Sequence, residues 1–301
     1  MTTVAAVDCG TNTIKLLIGD LPEVAVRESR MVRLGQGVDR TGRLADEALQ
    51  RAFAALDEYA ALIAAHDVER IRFCATSATR DAANAEVFAA GVEARLGVRP
   101  EVVTGDEEAA LAYDGALRHL RTPPAEPLLM IDIGGGSTEL VLGTRGGPEV
   151  AHSMDIGSVR LHERHLHDDP PTADQVAACV ADIDAALDAC PVDPARAATV
   201  VGVAGTVLSV VAGVLDLPAY DRDAIDQSVV PVADVAAFVE RLVAMPLAER
   251  LELPWLHPGR ADVIDAGALV LARVLRRAGV TELVASEADI LDGIAWSLID
   301  V

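Results

Sequence analysis

Two short stretches of this chain place an aspartate at the end of an apolar run with glycine close behind: Asp8-Cys9-Gly10-Thr11-Asn12-Thr13 and Asp132-Ile133-Gly134-Gly135-Gly136-Ser137. A carboxylate at a strand end can hold magnesium directly or through water, and glycines let backbone amides approach a phosphate. One such turn is also what an ordinary hairpin looks like. Two copies in register make a stronger statement. At a constant offset Asp8 aligns with Asp132, Gly10 with Gly134, Leu16 with Leu140 and Gly19 with Gly143, so the chain reads as internally duplicated. The same alignment sets Lys15 against Glu139, a cation in one copy where the other has an anion. Lys15 is the only lysine among 25 lysine and arginine residues, and a compact ammonium there suits charge neutralisation.

The elements that position these turns follow from periodicity. Apolar runs at 4–8 and 14–18, and again at 128–132 and 140–143, read as strand, tight turn, strand. Helical spacing at 44–66 precedes a strand at 68–75, a helix at 78–96, a strand at 99–104 and a helix at 106–120. The Pro-rich segment 121–127 breaks regular structure, which sets the expected domains at 1–122 and 123–301. The second half carries a helix at 173–189, entered by a capping box of Thr172 and Gln175. A strand at 199–204 then runs into Gly205-Thr206 and a further helix. A helix at 260–278, a strand at 282–285 and a terminal helix at 289–298 complete the chain. Strands alternating with helices in both halves predict two α/β domains with a cleft between them.

Bulk properties bound the function. A chain of 301 residues with 51% apolar content can bury a large core. Apolar runs such as 199–204 stop well short of the ~18 residues of a membrane span, and no basic stretch opens a leader segment, so the expected location is the cytoplasm, away from the membrane. A net charge of −22 disfavours nucleic-acid partners, because such binding depends on lysine and arginine displacing counterions. A phosphate substrate must therefore be met locally by amides, a few arginines and bound cations. The four cysteines form no Cys-x-x-Cys pair, and His152, His162, His165, His167 and His257 read as surface residues rather than zinc ligands.

Together with Ala75-Thr76-Ser77-Ala78-Thr79-Arg80 and Gly105-Asp106-Glu107-Glu108-Ala109, the paired turns resemble the exopolyphosphatase and guanosine pentaphosphate phosphohydrolase family of the actin-like ATPase superfamily. The similarity extends through His257-Pro258-Gly259-Arg260-Ala261-Asp262-Val263 and Asp289-Ile290-Leu291-Asp292-Gly293-Ile294, nearly the whole chain. It implies two actin-like, ribonuclease H-like domains and a phosphoanhydride hydrolase. It also implies that Glu108, immediately before the alanine, is the catalytic glutamate that orients or deprotonates the attacking water. Glu107 points roughly 100° away around the helix, so the two do not share one water. The competing view of both residues is a helix start favoured by the dipole.

Anhydride hydrolysis needs charge neutralised on the transferred phosphoryl group while water attacks in line. The expected metal carboxylates are Asp132, with Glu139 nearby, and Asp8 as their counterpart. Asn12, Thr13, Lys15, Gly134, Gly135, Gly136, Ser137 and Thr138 are expected on phosphate. The resemblance adds Arg80 and the third glycine element at Gly205, where Val203-Ala204 stands in place of the usual glycines. Arg260 is a candidate for more distant phosphates. Surface ion pairing for Arg80 and a capping role for Arg260 are the plainer alternatives. Magnesium or manganese is the expected cofactor, with potassium stimulating, and a homodimer is compatible with the resemblance. The substrate is expected to be inorganic polyphosphate, hydrolysed from its end. Guanosine pentaphosphate is the closest rival, and a silent polyphosphate or alarmone sensor the rival from another class.

Overall fold

The computed structural model describes residues 2–299. It contains two compact units, one running to Gly115 and resuming at Ile290, the other formed by Ala116–Asp289. The first division falls inside a helix rather than at the Pro-rich break near 122. The second returns the terminal helix to the first unit, which a single cut of the chain does not anticipate.

The first unit is a five-stranded sheet in the order β3-β2-β1-β4-β5, with β1 Val4–Cys9, β2 Thr13–Asp20, β3 Glu23–Met31, β4 Arg70–Ala75 and β5 Glu101–Val102. Strands β1 to β3 form an antiparallel meander, while β4 runs parallel to β1 and β5 to β4. Its helices are α1 Val38–Thr41, α2 Asp46–Ala64, α3 Ser77–Arg80, α4 Ala85–Leu96 and α5 Gly105–His119. The single helix expected at 78–96 is thus two. Asn84 separates them, its side chain accepting from Leu44 N–H at 2.8 Å and donating to Leu44 O at 3.0 Å. Apolar positions of α2, among them Leu49, Leu56 and Tyr59, pack on Ile14, Leu16 and Phe73 of the sheet to make this unit's core.

The second unit repeats the plan. Strands β6 Leu128–Ile133, β7 Thr138–Thr144 and β8 Gly147–Met154 form the meander, and β9 Thr199–Val203 runs parallel to β6. The sheet order is β10-β11-β9-β6-β7-β8, with β10 Val229–Pro231 an added antiparallel edge and β11 Glu282–Ala285 parallel to β9. Helices α6 Ser158–His165, α7 Ala173–Ala189, α8 Ala204–Val214, α9 Arg222–Ile225, α10 Val232–Ala244, α11 Leu247–Arg250 and α12 Ile264–Ala278 complete it. Thr172 and Gln175 form the expected capping box at the start of α7. The last helix, α13 Ile290–Ser297, packs in the first unit, where a side chain on Gly293 would strike Leu111 O of α5. No described helix is long and apolar enough to cross a membrane.

Candidate functional site

In parallel α/β sheets ligands gather at the carboxyl ends of the strands. In the first unit Asp8 is the next-to-last residue of β1, Thr76 and Ser77 follow β4, and Thr104 to Glu108 follow β5. The turn after β1 closes through a Gly10 N–H bond to Thr13 O at 3.0 Å, and the turn after β6 closes identically, Gly134 N–H to Ser137 O at 3.0 Å. The duplication inferred from sequence is therefore a duplication of backbone geometry. A glycine backs each turn: a Cβ on Gly35 would come within 2.3 Å of Thr11 Cγ2, and one on Gly157 within 2.6 Å of the Gly135 carbonyl. Sequence reasoning passed over these two. The signal was present, since each copy places a glycine shortly after its third strand.

Strand register brings Asp8 opposite Lys15, and Lys15 Nζ lies 3.3 Å from Asp8 Oδ2. Asp8 is 4% exposed, so the carboxylate is held in a nearly dry place by the chain's only lysine. Asn12 Oδ1 is buried without a hydrogen-bond partner. Amide oxygen and nitrogen are interchangeable by a flip, so this side chain can present a donor to an anion. Thr13 instead directs its hydroxyl to Met31 Sδ at 3.4 Å. Thr11 Oγ1 and Ser77 Oγ, 2.8 Å apart, tie the first turn to α3.

Glu108 and Glu107 separate as helix geometry requires. Glu107 turns outward, pairing with Arg72 Nη2 at 2.9 Å, and Arg72 also holds Glu101 at 2.8 Å. Glu108 turns inward and is 8% exposed. Burial pushes its carboxyl up to about 7 and neighbouring Asp8 adds to the rise, while Arg80 and Thr76 oppose it. Arg80 donates Nη1 to Glu108 Oε2 at 3.1 Å and to Val103 O at 2.8 Å. Its alternative role as a surface ion pair therefore gives way to a half-buried contact with Glu108. The Glu107 N–H bonds Thr104 Oγ1 at 3.2 Å, which fixes the start of α5.

In the second unit the register is Asp132 opposite Glu139 and Glu139 opposite Ser153. Ser153 Oγ donates to Glu139 Oε1 at 2.6 Å, and Glu139 is fully buried. Ser137 is 3% exposed within the glycine turn, whereas Thr138 donates its one hydroxyl proton to Ile156 O at 2.7 Å. Thr138 therefore supports the turn from behind. Arg260 sits in the 3-10 turn Pro258–Arg260 ahead of α12, not in the helix expected from 260. It lies flat on Gly205: a Cβ there would meet its guanidinium at 2.0 Å. Burial lowers the Arg260 pKa, with Tyr220, Glu287 and Asp289 opposing. Just before Gly205, Ala204 joins β9 to α8 with φ 63°, so an alanine takes the left-handed conformation that glycine adopts freely.

The two sheets, their repeated turns and the buried glutamate at the start of α5 agree with one family. Residues 17–300 match the model of the Ppx/GppA phosphatase family. The chain belongs to that family. Exopolyphosphatase 2 of Mycobacterium tuberculosis is 48% identical over 99% of both chains. The crystal structure of an exopolyphosphatase-like protein is 44% identical with a TM-score of 0.95, covering 99% of this chain and 98% of the other. An exopolyphosphatase from Cytophaga hutchinsonii is 26% identical with a TM-score of 0.91 at the same coverages. The Ppx/GppA fold of two actin-like α/β units is thus the fold of this chain, as the resemblance implied.

The donor set bears on the expected cation. Among the described residues no three His, Cys, Asp or Glu side chains gather into a metal cage. Magnesium needs none, since it is usually held by one or two carboxylates together with substrate phosphates. Asp132 beside the glycine turn fits that mode. Asp8 is matched by Lys15, and Glu139 is engaged by Ser153.

Proposed function

We propose that this Ppx/GppA-family protein is a cytoplasmic exopolyphosphatase, releasing orthophosphate from the end of inorganic polyphosphate. The carrying observation is Glu108, a buried carboxyl raised to about 7 at the carboxyl ends of β4 and β5. A general base works best with a pKa near the operating pH, and few surface carboxylates meet that condition. In this reading Glu108 takes a proton from the attacking water. Arg80 orients the glutamate and offers its remaining N–H groups to the phosphoryl group. Lys15, Asn12 and the amides of the first turn neutralise and bind phosphate oxygens. The glycine amides after Asp132, with Ser137, bind phosphate in the second unit, and Arg260 serves a more distant one. Asp132 would hold the magnesium ion, whose chemistry is to neutralise charge on the phosphate oxygens.

The 48% identity to Exopolyphosphatase 2 over nearly full length supports polyphosphate as the substrate. The test is phosphate release by wild type and Glu108→Gln, with magnesium, from polyphosphates of defined length, guanosine pentaphosphate, ATP and GTP. Glu108-dependent release from polyphosphate is expected. Preferential release from guanosine pentaphosphate would transfer the same chemistry to that substrate, and tight binding without release would make the protein a sensor.

A further inference from the structure

The glycine turn of the second unit does not hold its shape alone. The start of α6 takes up its carbonyl groups one after another. Ser158 N–H bonds Gly134 O at 2.9 Å, Val159 N–H and Arg160 N–H bond Gly135 O at 2.8 and 3.1 Å, and Arg160 Nε bonds Gly136 O at 2.7 Å. In a trans peptide the N–H points opposite to the C=O. Drawing the carbonyls of Gly134, Gly135 and Gly136 toward α6 therefore turns the amides of Gly135, Gly136 and Ser137 away from it. Those are the amides assigned above to phosphate. The approach is close enough that only glycine fits at position 157.

One turn further along α6, His162 Nδ1 lies 3.2 Å from Asp265 Oδ1 on α12. Asp265 is fully buried, accepts from Ala266 N–H at 2.8 Å, and has Arg250 Nη1 of α11 2.8 Å from its other oxygen. That last contact is an ion pair whose alignment does not make a hydrogen bond. Burial alone would raise the Asp265 carboxyl, but His162, Arg250 and the Ala266 amide hold it below its ordinary value, so it is ionised. Asp265 begins the helix that follows the Arg260 turn. It therefore joins the element behind the glycine turn to the element that carries Arg260 over Gly205. The histidines read from sequence as surface residues include this one, which has a buried partner. Nothing in the spacing of His162 and Asp265, 103 residues apart, announces the pair.

We propose that His162, gripped by Asp265, is a positioning residue for phosphate binding: it anchors α6 so that Arg160 and the helix start orient the three glycine peptides. The inference rests on the phosphate-cradle reading of that turn but not on hydrolysis, so it is tested by binding. In a Glu108→Gln background, inorganic tripolyphosphate is titrated calorimetrically with magnesium into the full chain carrying His162→Leu or His162→Asn. Asparagine places an amide near the Nδ1 position, whereas leucine leaves Asp265 without that donor. Losing a hydrogen bond to a charged group translates to about a tenfold weaker Kd for the leucine variant. The asparagine variant should restore affinity to within about twofold by the same reasoning. With Glu108 intact, the leucine variant should raise KM for polyphosphate while leaving kcat nearly unchanged.

Arg160→Met removes the guanidinium bond to Gly136 O and leaves the His162–Asp265 contact in place. It should weaken tripolyphosphate in the same direction, and it keeps the test decisive if the leucine variant does not fold. Unchanged affinity in a folded leucine or methionine variant, or an asparagine variant as weak as the leucine one, overturns the proposal. Absence of tripolyphosphate binding to the parent overturns the cradle itself. Binding without polyphosphate hydrolysis by the Glu108-containing enzyme overturns the functional reading and leaves this one standing.

Discussion

Replacing Glu108 by glutamine should slow turnover steeply and stabilise the protein at the same time, by an amount that depends on pH. The carboxyl is raised from 4.5 to about 7, chiefly by burial. Its folded-state pKa lies above its unfolded value, so the fold favours the protonated form. That contribution is complete below about pH 4.5 and is lost as pH rises through about 7. At about 1.4 kcal/mol for each tenfold change in proton affinity, the wild type carries a penalty of about 3 kcal/mol at pH 8 and under about 1 kcal/mol at pH 5. Glutamine carries no such penalty, and the opposing effect of Arg80 is already contained in the net rise to about 7. The net gain at pH 8 is therefore about 3 kcal/mol, or about 5 °C in Tm for a chain of this size. Melting curves of both proteins from pH 5 to 8.5 measure it. A Tm difference independent of pH would refute the buried, high-pKa glutamate, and with it the physical basis for assigning a base near neutrality. The accompanying loss of turnover should be about 10² to 10⁴-fold if Glu108 is the general base.

Other consequences follow from the same geometry. Arg80→Met removes the cation that counteracts the rise at Glu108, so the acidic limb of the kcat profile should move about one pH unit upward; an unmoved limb would separate Arg80 from the base. Ala204→Gly relieves a left-handed alanine at the β9–α8 junction and should stabilise the second unit by about 0.5 to 1 kcal/mol in denaturant unfolding, with a lower midpoint counting against the strain. Chelation of magnesium should abolish phosphate release, and Asp132→Asn should raise the magnesium concentration needed for half activity. Full activity in EDTA would remove the metal from the mechanism.

What the sequence determined by itself was local and periodic. The paired Asp and glycine turns, the duplication, the α7 capping box and the divergence of Glu107 from Glu108 depend on spacing along one strand, one turn or one helix, and the same spacing recurs in the structure. Tertiary structure decided whatever depends on which distant segments meet. It set Arg80 on Glu108, committed Thr13 and Thr138 to Met31 and Ile156, placed glycines 35 and 157 behind the turns, and joined His162 to Asp265. It also returned α13 to the first unit, where Gly293 lets it lie against the backbone of α5. A hydroxyl or a carboxylate is the same in sequence whether it faces a phosphate or a buried carbonyl. Burial and partner supply the difference, and both are properties of segments far apart in the chain.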